Sequence, residues 1–331
     1  MGDKRGVLMG DPTTFWRTAG DNPHARTRWG VRKFVRRSRA VEQWHRLART
    51  LLELGVEIGV LPAAGAPGLL FPSSAGFLAG ADSATPFSQK RYHLSRLPNR
   101  TAENAVISAF LRAMGFSVQA FPQRFGGGSD FLSSEGCFLF SSGVIRRPRF
   151  VFSKGWPPFR RCYGFQSAPS ALDALAESAR GKKVLPVTLI RETHFSGNTC
   201  LCPFGKNREF LMAYLPALSE SSRARLKEQF GERLLGLSEP DGEGFAANAF
   251  QVDVDEPVLL LPHTVSEALQ AQVRERGVRP VLVDVSEFFQ KAGGAVASLI
   301  GDLGPLPTDD AELSPGAVEF RRENSYPALF A

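Results

Sequence analysis

The chain of 331 residues has only four cysteines, Cys137, Cys162, Cys200 and Cys202, and they are scattered along it. So few cysteines exclude a scaffold built on disulfide bonds. A single residue separates Cys200 from Cys202, whereas about two to four separate paired zinc ligands, and no second ligand pair accompanies them. We therefore expect no metal site, no cofactor, and buried reduced thiols of the kind found in cytoplasmic proteins.

Long apolar runs are also missing. No stretch reaches the ~18–20 residues that a membrane-spanning helix needs, and the early apolar cluster Val7–Met9 is followed at once by Asp11. The sequence therefore predicts neither a membrane span nor a signal-peptide core. Its 43% apolar and 22% charged residues are typical of a globular protein with a sizeable core, and they exclude a disordered chain.

Acidic residues are scarce at one end of the chain. The formal net charge is +7, yet residues 1–50 alone carry +8, so the remainder sums to about −1. Residues 26–39 concentrate the basic side chains around Trp29 and Phe34. Two interpretations stay open: a segment that follows nucleic-acid phosphates while an aromatic ring stacks on a base, or a solvated surface that attracts acidic partners. The second is the more common.

Helix signals recur five times. Helices are predicted to begin near residues 38, 101, 167, 221 and 264, and four of the five end at a glycine that leads directly into an apolar strand. Strand-rich stretches lie between them. Five β-rich units with one helix each predict a repeating α+β fold rather than a Rossmann alternation. We expect one domain over residues 1–331, with a basic surface insertion at about 143–161.

Seven short segments follow one another in a recognisable order. They are the opening strand with its Asn22-Pro23 turn, Phe71–Gly76 (similar to "FTANAG"), Phe125–Asp130 ("FEGxGD"), Tyr163–Ser167 ("YGFRT"), His194–Pro203 ("HLDT.L.P"), Phe245–Asn248 ("FAxN") and Ser286–Leu299 ("SEF.KAGGxxxCL"). Together they resemble the pentein superfamily of guanidine-modifying enzymes: dimethylargininases, arginine deiminases, arginine dihydrolases and amidinotransferases. The resemblance covers about residues 6–303 and implies a five-bladed α/β propeller with one helix per blade.

The resemblance also implies a chemistry. Reaction at a guanidinium carbon needs a soft nucleophile such as a cysteine thiolate, a histidine as general acid and base, and carboxylates that hold the guanidinium through bidentate hydrogen bonds. It places the acid/base at His194 and the nucleophile at Ser298. The substrate-binding positions that it implies are Asn22, Asp130, Gln166 and Asn248.

Several functional residues of the family are replaced. The replacements are Ser298 for the cysteine, Gly126 for the carboxylate of "FEGxGD", Gln166 for the arginine of "YGFRT", Gly68 for an acid before "FTANAG", Ser74 for the asparagine of that segment, and Ser196 or Asn198 for the acid after the histidine, depending on where two extra residues lie. A serine hydroxyl ionises far less readily than a thiol. Each lost carboxylate also removes a charge-assisted hydrogen bond of about 1.5–3 kcal/mol.

We therefore interpret the chain as a divergent pentein that lacks ordinary cysteine-dependent activity and binds an altered small ligand, neutral or anionic rather than cationic. One alternative is an active amidinohydrolase or amidinotransferase with His194 as acid/base, in which Ser298 replaces a natural cysteine. Another is a binder of nucleic acid or acidic protein through residues 26–39. Asp130 also has a structural interpretation, as the residue that caps the Gly126–Ser129 turn. A membrane partner is not expected, and a homodimer stays open.

Overall fold

Within the residues that the structure describes, the strands form five three-stranded sheets and one two-stranded ribbon. The computed structural model describes residues 4–15, 22–27, 31–79, 85–144, 149–150, 159–160, 163–179, 181–253, 256–307 and 312–330. In chain order the strands are β1 (Lys4–Gly10), β2 (Glu57–Leu61), β3 (Gly76–Ala79), β4 (Arg91–Leu94), β5 (Ser117–Ala120), β6 (Phe131–Ser134), β7 (Cys137–Ser142), β8 (Arg149–Phe150), β9 (Phe159–Arg160), β10 (Lys183–Thr188), β11 (Leu201–Phe204), β12 (Phe210–Ala213), β13 (Leu234–Gly236), β14 (Phe250–Val252), β15 (Val258–Pro262), β16 (Arg279–Val283) and β17 (Gly301–Leu306).

The α-helices of the described residues lie between these strands and after the last of them. They are α1 (Arg37–Glu53), α2 (Thr101–Ala113), α3 (Leu172–Ser178), α4 (Glu220–Phe230), α5 (Glu239–Glu243), α6 (Glu267–Glu275), α7 (Ser286–Ala292), α8 (Pro315–Glu323) and α9 (Tyr326–Phe330). Short 3-10 turns occupy many of the connections, among them Gly127–Ser129, Gly197–Thr199 and Ala297–Leu299.

All five three-stranded sheets share one pattern. An inner strand pairs antiparallel with a middle strand, which pairs parallel with an outer strand. From inner to outer strand, the sheets are β17-β1-β2, β3-β4-β5, β6-β7-β10, β11-β12-β13 and β14-β15-β16. One helix connects each middle strand to its outer strand: α1, α2, α3, α4 and α6 in turn. The predicted α+β propeller with five blades and one helix per blade is confirmed.

The inner strands surround a central channel. A cavity of about 370 Å³ is lined by residues of β3, β6, β11 and β14 together with Ile300 and Asp302 at the beginning of β17. The first blade takes its inner strand from the far end of the chain, with Lys4 opposite Leu306 and Leu8 opposite Gly301. The ring is therefore closed by hydrogen bonds between the first and the last strand.

Helix α1 illustrates how a blade is packed. Its apolar stripe buries Trp44, Leu47 and Leu51 completely, as the spacing of apolar residues along a helix face requires. The Trp44 ring contacts Tyr326 and Phe330 of α9, with ring centroids 5.7 Å and 5.6 Å away. The last helix therefore covers the outer side of the first blade.

Glycines end four of the five blade helices, as the sequence indicated. Gly55, Gly115, Gly181 and Gly277 follow α1, α2, α3 and α6 with φ of 78°, 94°, 82° and 71°. This left-handed conformation is the usual way to end a helix and costs little at glycine. Each of these helices then turns directly into the outer strand of its blade.

Two predicted helix starts and one helix end differ from the structure. α3 begins at Leu172 rather than Ser167, after the 3-10 turn Pro169–Ala171, and the Ser167 hydroxyl accepts from the Gly126 amide instead of capping the helix. α6 follows Ser266 rather than Thr264, since the Ser266 hydroxyl accepts from the Leu269 amide. The sequence predicts that the fourth helix spans about Ser221–Leu235, but it ends at Phe230, and Leu234 and Leu235 belong to β13.

The predicted basic insertion at 143–161 falls mostly outside the described residues. Its described part includes the ribbon in which β8 pairs antiparallel with β9. Across the described ranges, no helix combines the length and apolar character that crossing a membrane demands.

A close contact joins the second and third blades beside the channel. Gly127 has φ of 65°, and a Cβ atom there would lie 2.6 Å from the Gly76 amide nitrogen and 2.8 Å from the Gly76 carbonyl oxygen. Both contacts are with backbone atoms, so a side chain at 127 would force the backbone of one of the two blades to move. Gly136 has a similar φ of 72°, but a Cβ atom there would meet nothing within 4 Å.

We expect Gly127→Ala to lower the free energy of unfolding by about 1–3 kcal/mol more than Gly136→Ala. The two substitutions share the cost of a left-handed alanine, so the difference isolates the contact between the blades. Chemical denaturation of both variants measures it. Equal losses would contradict the close approach of the two blades.

Candidate functional site

A cavity of about 320 Å³ lies among the connecting segments of several blades. Its lining residues come from seven stretches of chain, at 22, 68–74, 97–103, 124–129, 163–166, 195–196 and 292–298. Three of the predicted site residues line it: Asn22, Gln166 and Ser298. The other three are fully buried and do not line it: Asp130, His194 and Asn248.

Ser298 reaches the cavity from the 3-10 turn Ala297–Leu299 and is 8% exposed. Gly294 makes room for it, because a Cβ atom at that position would lie 2.8 Å from the Ser298 Cβ and 3.1 Å from its Oγ. Within the described ranges, the Ser298 hydroxyl makes no hydrogen bond with a histidine or a carboxylate. A serine without such a base is a weak nucleophile.

Asn248 holds the Ser298 turn in place. Its side-chain oxygen accepts hydrogen bonds from the backbone amides of Ala295, at 2.8 Å, and Ser298, at 3.2 Å. Its side-chain nitrogen donates to the Asn198 carbonyl oxygen at 2.9 Å. Asn248 thereby ties two cavity-lining segments together from within the core.

His194 is enclosed in the core. Its ring stacks on Phe245 with centroids 5.0 Å apart, and Nδ1 donates to the Thr199 carbonyl oxygen at 3.2 Å. The other ring nitrogen, Nε2, is buried and has no hydrogen-bond partner. Burial lowers the pKa of His194 to about 4, so the imidazole is neutral near pH 7. His194 is not among the residues that line the cavity.

Ser196 lines the cavity in the stretch where the resemblance places a histidine. Counted back from Thr199, the pattern "HLDT" puts its acid at Asn198 and its histidine at Ser196. The Ser196 hydroxyl donates to the Asn198 side-chain oxygen at 3.0 Å. With this register, the lining has serine at both the acid/base and the nucleophile position.

Asp130 connects the turn of the third blade to the loop before β11. Its Oδ2 accepts from the Ser167 hydroxyl at 2.6 Å, and its Oδ1 accepts from the Gly197 amide at 2.7 Å. The Ser167 hydroxyl in turn accepts from the Gly126 amide at 2.9 Å. Burial raises the pKa of Asp130 to about 7, against the opposing effect of these hydrogen bonds.

Gln166 occupies the space beside Gly126. Its side-chain oxygen accepts from the Ser129 hydroxyl at 2.8 Å, and its backbone amide donates to the Phe195 carbonyl oxygen at 3.2 Å. A Cβ atom at Gly126 would lie 2.6 Å from the Gln166 side-chain oxygen and 2.6 Å from Asp130 Oδ2. A side chain at 126 would therefore require Gln166 and Asp130 to shift.

Asn22 lines the cavity but uses its side chain for the backbone. Its oxygen accepts from the amides of His24, at 2.9 Å, and Ala25, at 3.1 Å, which caps a short 3-10 helix. Its nitrogen donates to the Ala292 carbonyl oxygen at 2.8 Å. These bonds fix the segment that precedes Gly293 and Gly294.

Arg100 and Glu103 form an ion pair on the cavity wall that the sequence reasoning missed. The Arg100 guanidinium donates to the Glu103 carboxylate, the Ser74 hydroxyl and the Gly68 carbonyl. The second Glu103 oxygen accepts from the Gly68 amide at 3.0 Å. The sequence does contain one signal for this pair, an arginine three residues before a glutamate at the start of a helix. In the structure the pair contacts the replaced positions Gly68 and Ser74.

The described lining residues include three with formal charge: Arg100, Glu103 and Arg124. Arg124 donates from Nε to the Gln166 carbonyl oxygen at 3.0 Å and from Nη2 to the Phe165 carbonyl oxygen at 2.9 Å. Its Nη1 makes no hydrogen bond with a described residue. Because Arg100 and Glu103 neutralise each other, Arg124 gives the lining one excess positive charge.

Cysteine and metal chemistry are absent from the described part of this cavity wall. Cys137, Cys200 and Cys202 are free and buried, and burial raises the pKa of all three, that of Cys202 to about 12. Among the described residues, no group of three or more histidine, cysteine, aspartate or glutamate side chains is placed to hold a metal ion. Cys162 lies outside the described ranges.

The described residues of the basic segment 26–39 do not contribute to the cavity lining. Its described residues include Phe34, which is 79% exposed, while Lys33 donates to the Gln290 carbonyl oxygen and Arg39 pairs with Asp284. Trp29, the other aromatic residue of this segment, lies outside the described residues. The segment's role stays a prediction.

Known proteins of similar sequence act on guanidine compounds. No protein-family profile matches the chain. It is 28% identical over 265 residues to the bifunctional arginine dihydrolase/ornithine cyclodeaminase ArgZ of Synechocystis sp., in a match that covers 79% of this chain and 33% of that protein. It is 23% identical over 267 residues to an N(G),N(G)-dimethylarginine dimethylaminohydrolase of Mycobacterium tuberculosis, covering 80% of this chain and 76% of that protein. The chain thus spans about a third of the length of the first relative.

Solved structures share the fold along most of the chain. The N-terminal domain of ArgZ bound to product matches with a TM-score of 0.74 and 25% identity, covering 92% of this chain and 100% of that domain. A cysteine-to-serine variant of the same domain, bound to substrate, matches with a TM-score of 0.73 and 24% identity over 91% of this chain and 99% of that one. A dimethylarginine dimethylaminohydrolase adduct matches with a TM-score of 0.65 and 15% identity over 92% and 100%.

Three observations agree with one another: the order of the short motifs, the five blades of identical topology, and the similarity to arginine dihydrolases and dimethylargininases along four fifths of the chain. Six of the seven motif segments contribute to the wall of the cavity, together with the stretch 97–103, which carries none of the motifs. The chain therefore belongs to the pentein superfamily of guanidine-modifying enzymes.

Proposed function

We propose that this chain is a ligand-binding pentein without guanidine hydrolysis, and that its cavity holds a small neutral or anionic molecule. The observation that carries this proposal is the composition of the described lining. It contains serines 196 and 298, a carboxylate already paired with Arg100, and the additional cation Arg124. The described lining offers neither a thiol, nor an imidazole, nor an unpaired carboxylate.

Catalysis at a guanidinium carbon would need groups that this arrangement does not supply. An alkoxide at Ser298 would need a base in hydrogen-bond reach, and the neutral imidazole of His194 is buried outside the cavity. The leaving amine would need a proton donor. Ser196 cannot act as one near neutral pH, because a hydroxyl is far too weak an acid.

The net charge of the described lining residues determines which class of ligand the cavity favours. An arginine-like cation would meet the excess charge of Arg124 and would find Glu103 already bound. A carboxylate or a neutral carbonyl would instead accept from Arg124, whose Nη1 makes no hydrogen bond with a described residue. Electrostatic complementarity therefore favours neutral and anionic ligands over cations.

Asp130 and Asn248 belong to the support of this site rather than to its surface. Asp130 joins the segments at 126, 167 and 197, and Asn248 joins those at 198 and 298. Buried polar groups that are satisfied in this way order the loops around them. We assign both residues a positioning role.

The sequence similarity to arginine dihydrolase and dimethylargininase favours a second candidate, hydrolysis of an arginine-like substrate. In that case the wild-type chain itself would release product, and a cysteine at position 298 would raise the rate. The same assays therefore separate the two candidates.

Incubation of the wild-type protein with L-arginine or asymmetric dimethylarginine is expected to release no citrulline or ornithine above the blank. Ser298→Cys is expected to remain equally inert, because a thiol without a nearby imidazole stays protonated near neutral pH. Chromatographic product analysis after single and multiple turnovers measures this, with Ser298→Ala as the matched control. Thiol-dependent turnover by Ser298→Cys but not Ser298→Ala would establish the hydrolase instead.

L-Citrulline is expected to bind at least about tenfold more tightly than L-arginine, a difference of about 1.4 kcal/mol. The two molecules have nearly the same shape, but one ends in a neutral ureido group and the other in a guanidinium. Titration calorimetry on the wild type and on Arg124→Met measures the ratio. The ratio should fall toward one in Arg124→Met, and a wild type that prefers arginine would contradict the proposed ligand class.

Asp130→Asn is expected to flatten the pH dependence of stability between pH 4 and 7. The folded-state pKa of about 7 lies above the ordinary value, so the stability contributed by the protonated carboxyl is complete below the unfolded-state pKa and is lost as pH rises toward 7. Thermal melts from pH 4 to pH 8 measure it, with Asp173→Asn, an exposed residue of α3, as control. An unchanged slope in Asp130→Asn would show that Asp130 is ionised in the fold.

A further inference from the structure

The Arg100 side chain lies in a site shaped for a guanidinium ion. Its nitrogens donate to a carboxylate from Glu103, a carbonyl oxygen from Gly68 and a hydroxyl from Ser74. The Arg100 and Glu103 side chains are 12% and 10% exposed. These acceptors come from two different stretches of chain, and all three of their residues line the cavity.

This set of acceptors is more than an ion pair on a helix. A pair spaced by three residues on an exposed helix needs only its two partners. Here the guanidinium also contacts the connection between β2 and β3, and that connection is adapted to the glutamate. A Cβ atom at Gly68 would lie 2.2 Å from both carboxylate oxygens of Glu103. Because glycine has no Cβ, the carboxylate can approach closely enough to accept a hydrogen bond from the Gly68 amide.

The geometry fits the chemistry of guanidinium recognition. A guanidinium is planar, carries five N–H donors and accepts nothing, so it is bound best by a carboxylate together with neutral oxygens around its edge. Glu103, Gly68 and Ser74 supply one carboxylate and two neutral oxygens. An ammonium group has three donors in a compact arrangement and would satisfy this set less completely.

We propose that Arg100 is a resident guanidinium that occupies a guanidinium-binding subsite of the cavity and closes it to external guanidinium compounds. Glu103, Gly68 and Ser74 supply the acceptors of this subsite, and the Arg100 side chain supplies its guanidinium ligand. Arg100 is thus a specificity-determining residue, since it excludes cations from the cavity while leaving Arg124 free to bind another ligand. This inference rests on the proposed binding function for the role of the remaining cavity.

Removal of the Arg100 side chain is therefore expected to create a receptor for small guanidinium ions. Arg100→Ala leaves the Glu103 carboxylate buried without its counter-ion, which destabilises the fold strongly. Methylguanidinium can restore the pairing and the planar hydrogen bonds. A ligand that binds only the folded state raises its melting temperature.

The experiment compares melting temperatures in about 10 mM methylguanidinium chloride and in equimolar methylammonium chloride. Methylguanidinium should raise the melting temperature of Arg100→Ala by about 3 °C or more over methylammonium, and should leave the wild type and Arg112→Ala unchanged. Arg112 lies on α2, the helix that Arg100 directly precedes, and does not line the cavity. The double variant Arg100→Ala/Glu103→Gln should lose the effect, because its subsite has no carboxylate.

Two results would overturn the inference: a wild type that is stabilised by methylguanidinium as much as Arg100→Ala, or an Arg100→Ala variant that does not distinguish methylguanidinium from methylammonium. If Arg100→Ala does not fold unaided, the yield of refolded protein in the two salts replaces the melting temperature, and equal yields would likewise contradict it. Product release by the wild type tests the proposed function separately. The two ideas can therefore fail independently.

Discussion

Closure of the ring by β1 and β17 is the interaction on which the rest of the molecule depends. Residues 4–8 pair with residues 301–306, so the inner strand of the first blade comes from the opposite end of the chain. A contact between residues so far apart in the sequence closes a long loop and carries the entropic cost of that closure. In the closed ring, the segments at 68–74 and 292–298 line the same cavity.

Hydrogen bonds between blades then fix the cavity wall. Asp130 joins the third blade to the loop before the fourth, and Asn248 joins that loop to the turn that carries Ser298. Both side chains are fully buried, where a satisfied polar group orders its surroundings and an unsatisfied one is costly. The hydrogen bonds of Asp130 and Asn248 therefore hold the fold around the site.

The blade pattern could be predicted from the sequence because it depends on local signals, while the site depended on contacts that no local signal reveals. Glycines 55, 115, 181 and 277 marked the helix ends correctly. The register of the His194 segment could not be settled from spacing, since two extra residues separate His194 from Thr199 and only the fold shows Ser196 on the cavity wall. Arg100 escaped notice because its partners Gly68 and Ser74 are about 30 residues away in sequence.

At Gly68 and Gly126, a neighbouring side chain fills the space that a side chain at the glycine would occupy. At Gly68, the volume of a side chain is filled by the Glu103 carboxylate, which Arg100 neutralises. At Gly126, it is filled by Gln166 and Asp130. A carboxylate reintroduced alone at either glycine would therefore collide with an oxygen of its neighbour and would place two acceptors in contact. A side chain introduced at 68 would therefore need a change at 103, and one introduced at 126 would need a change at 166. The space beside each of these two glycines is thus filled by a packed and hydrogen-bonded neighbour.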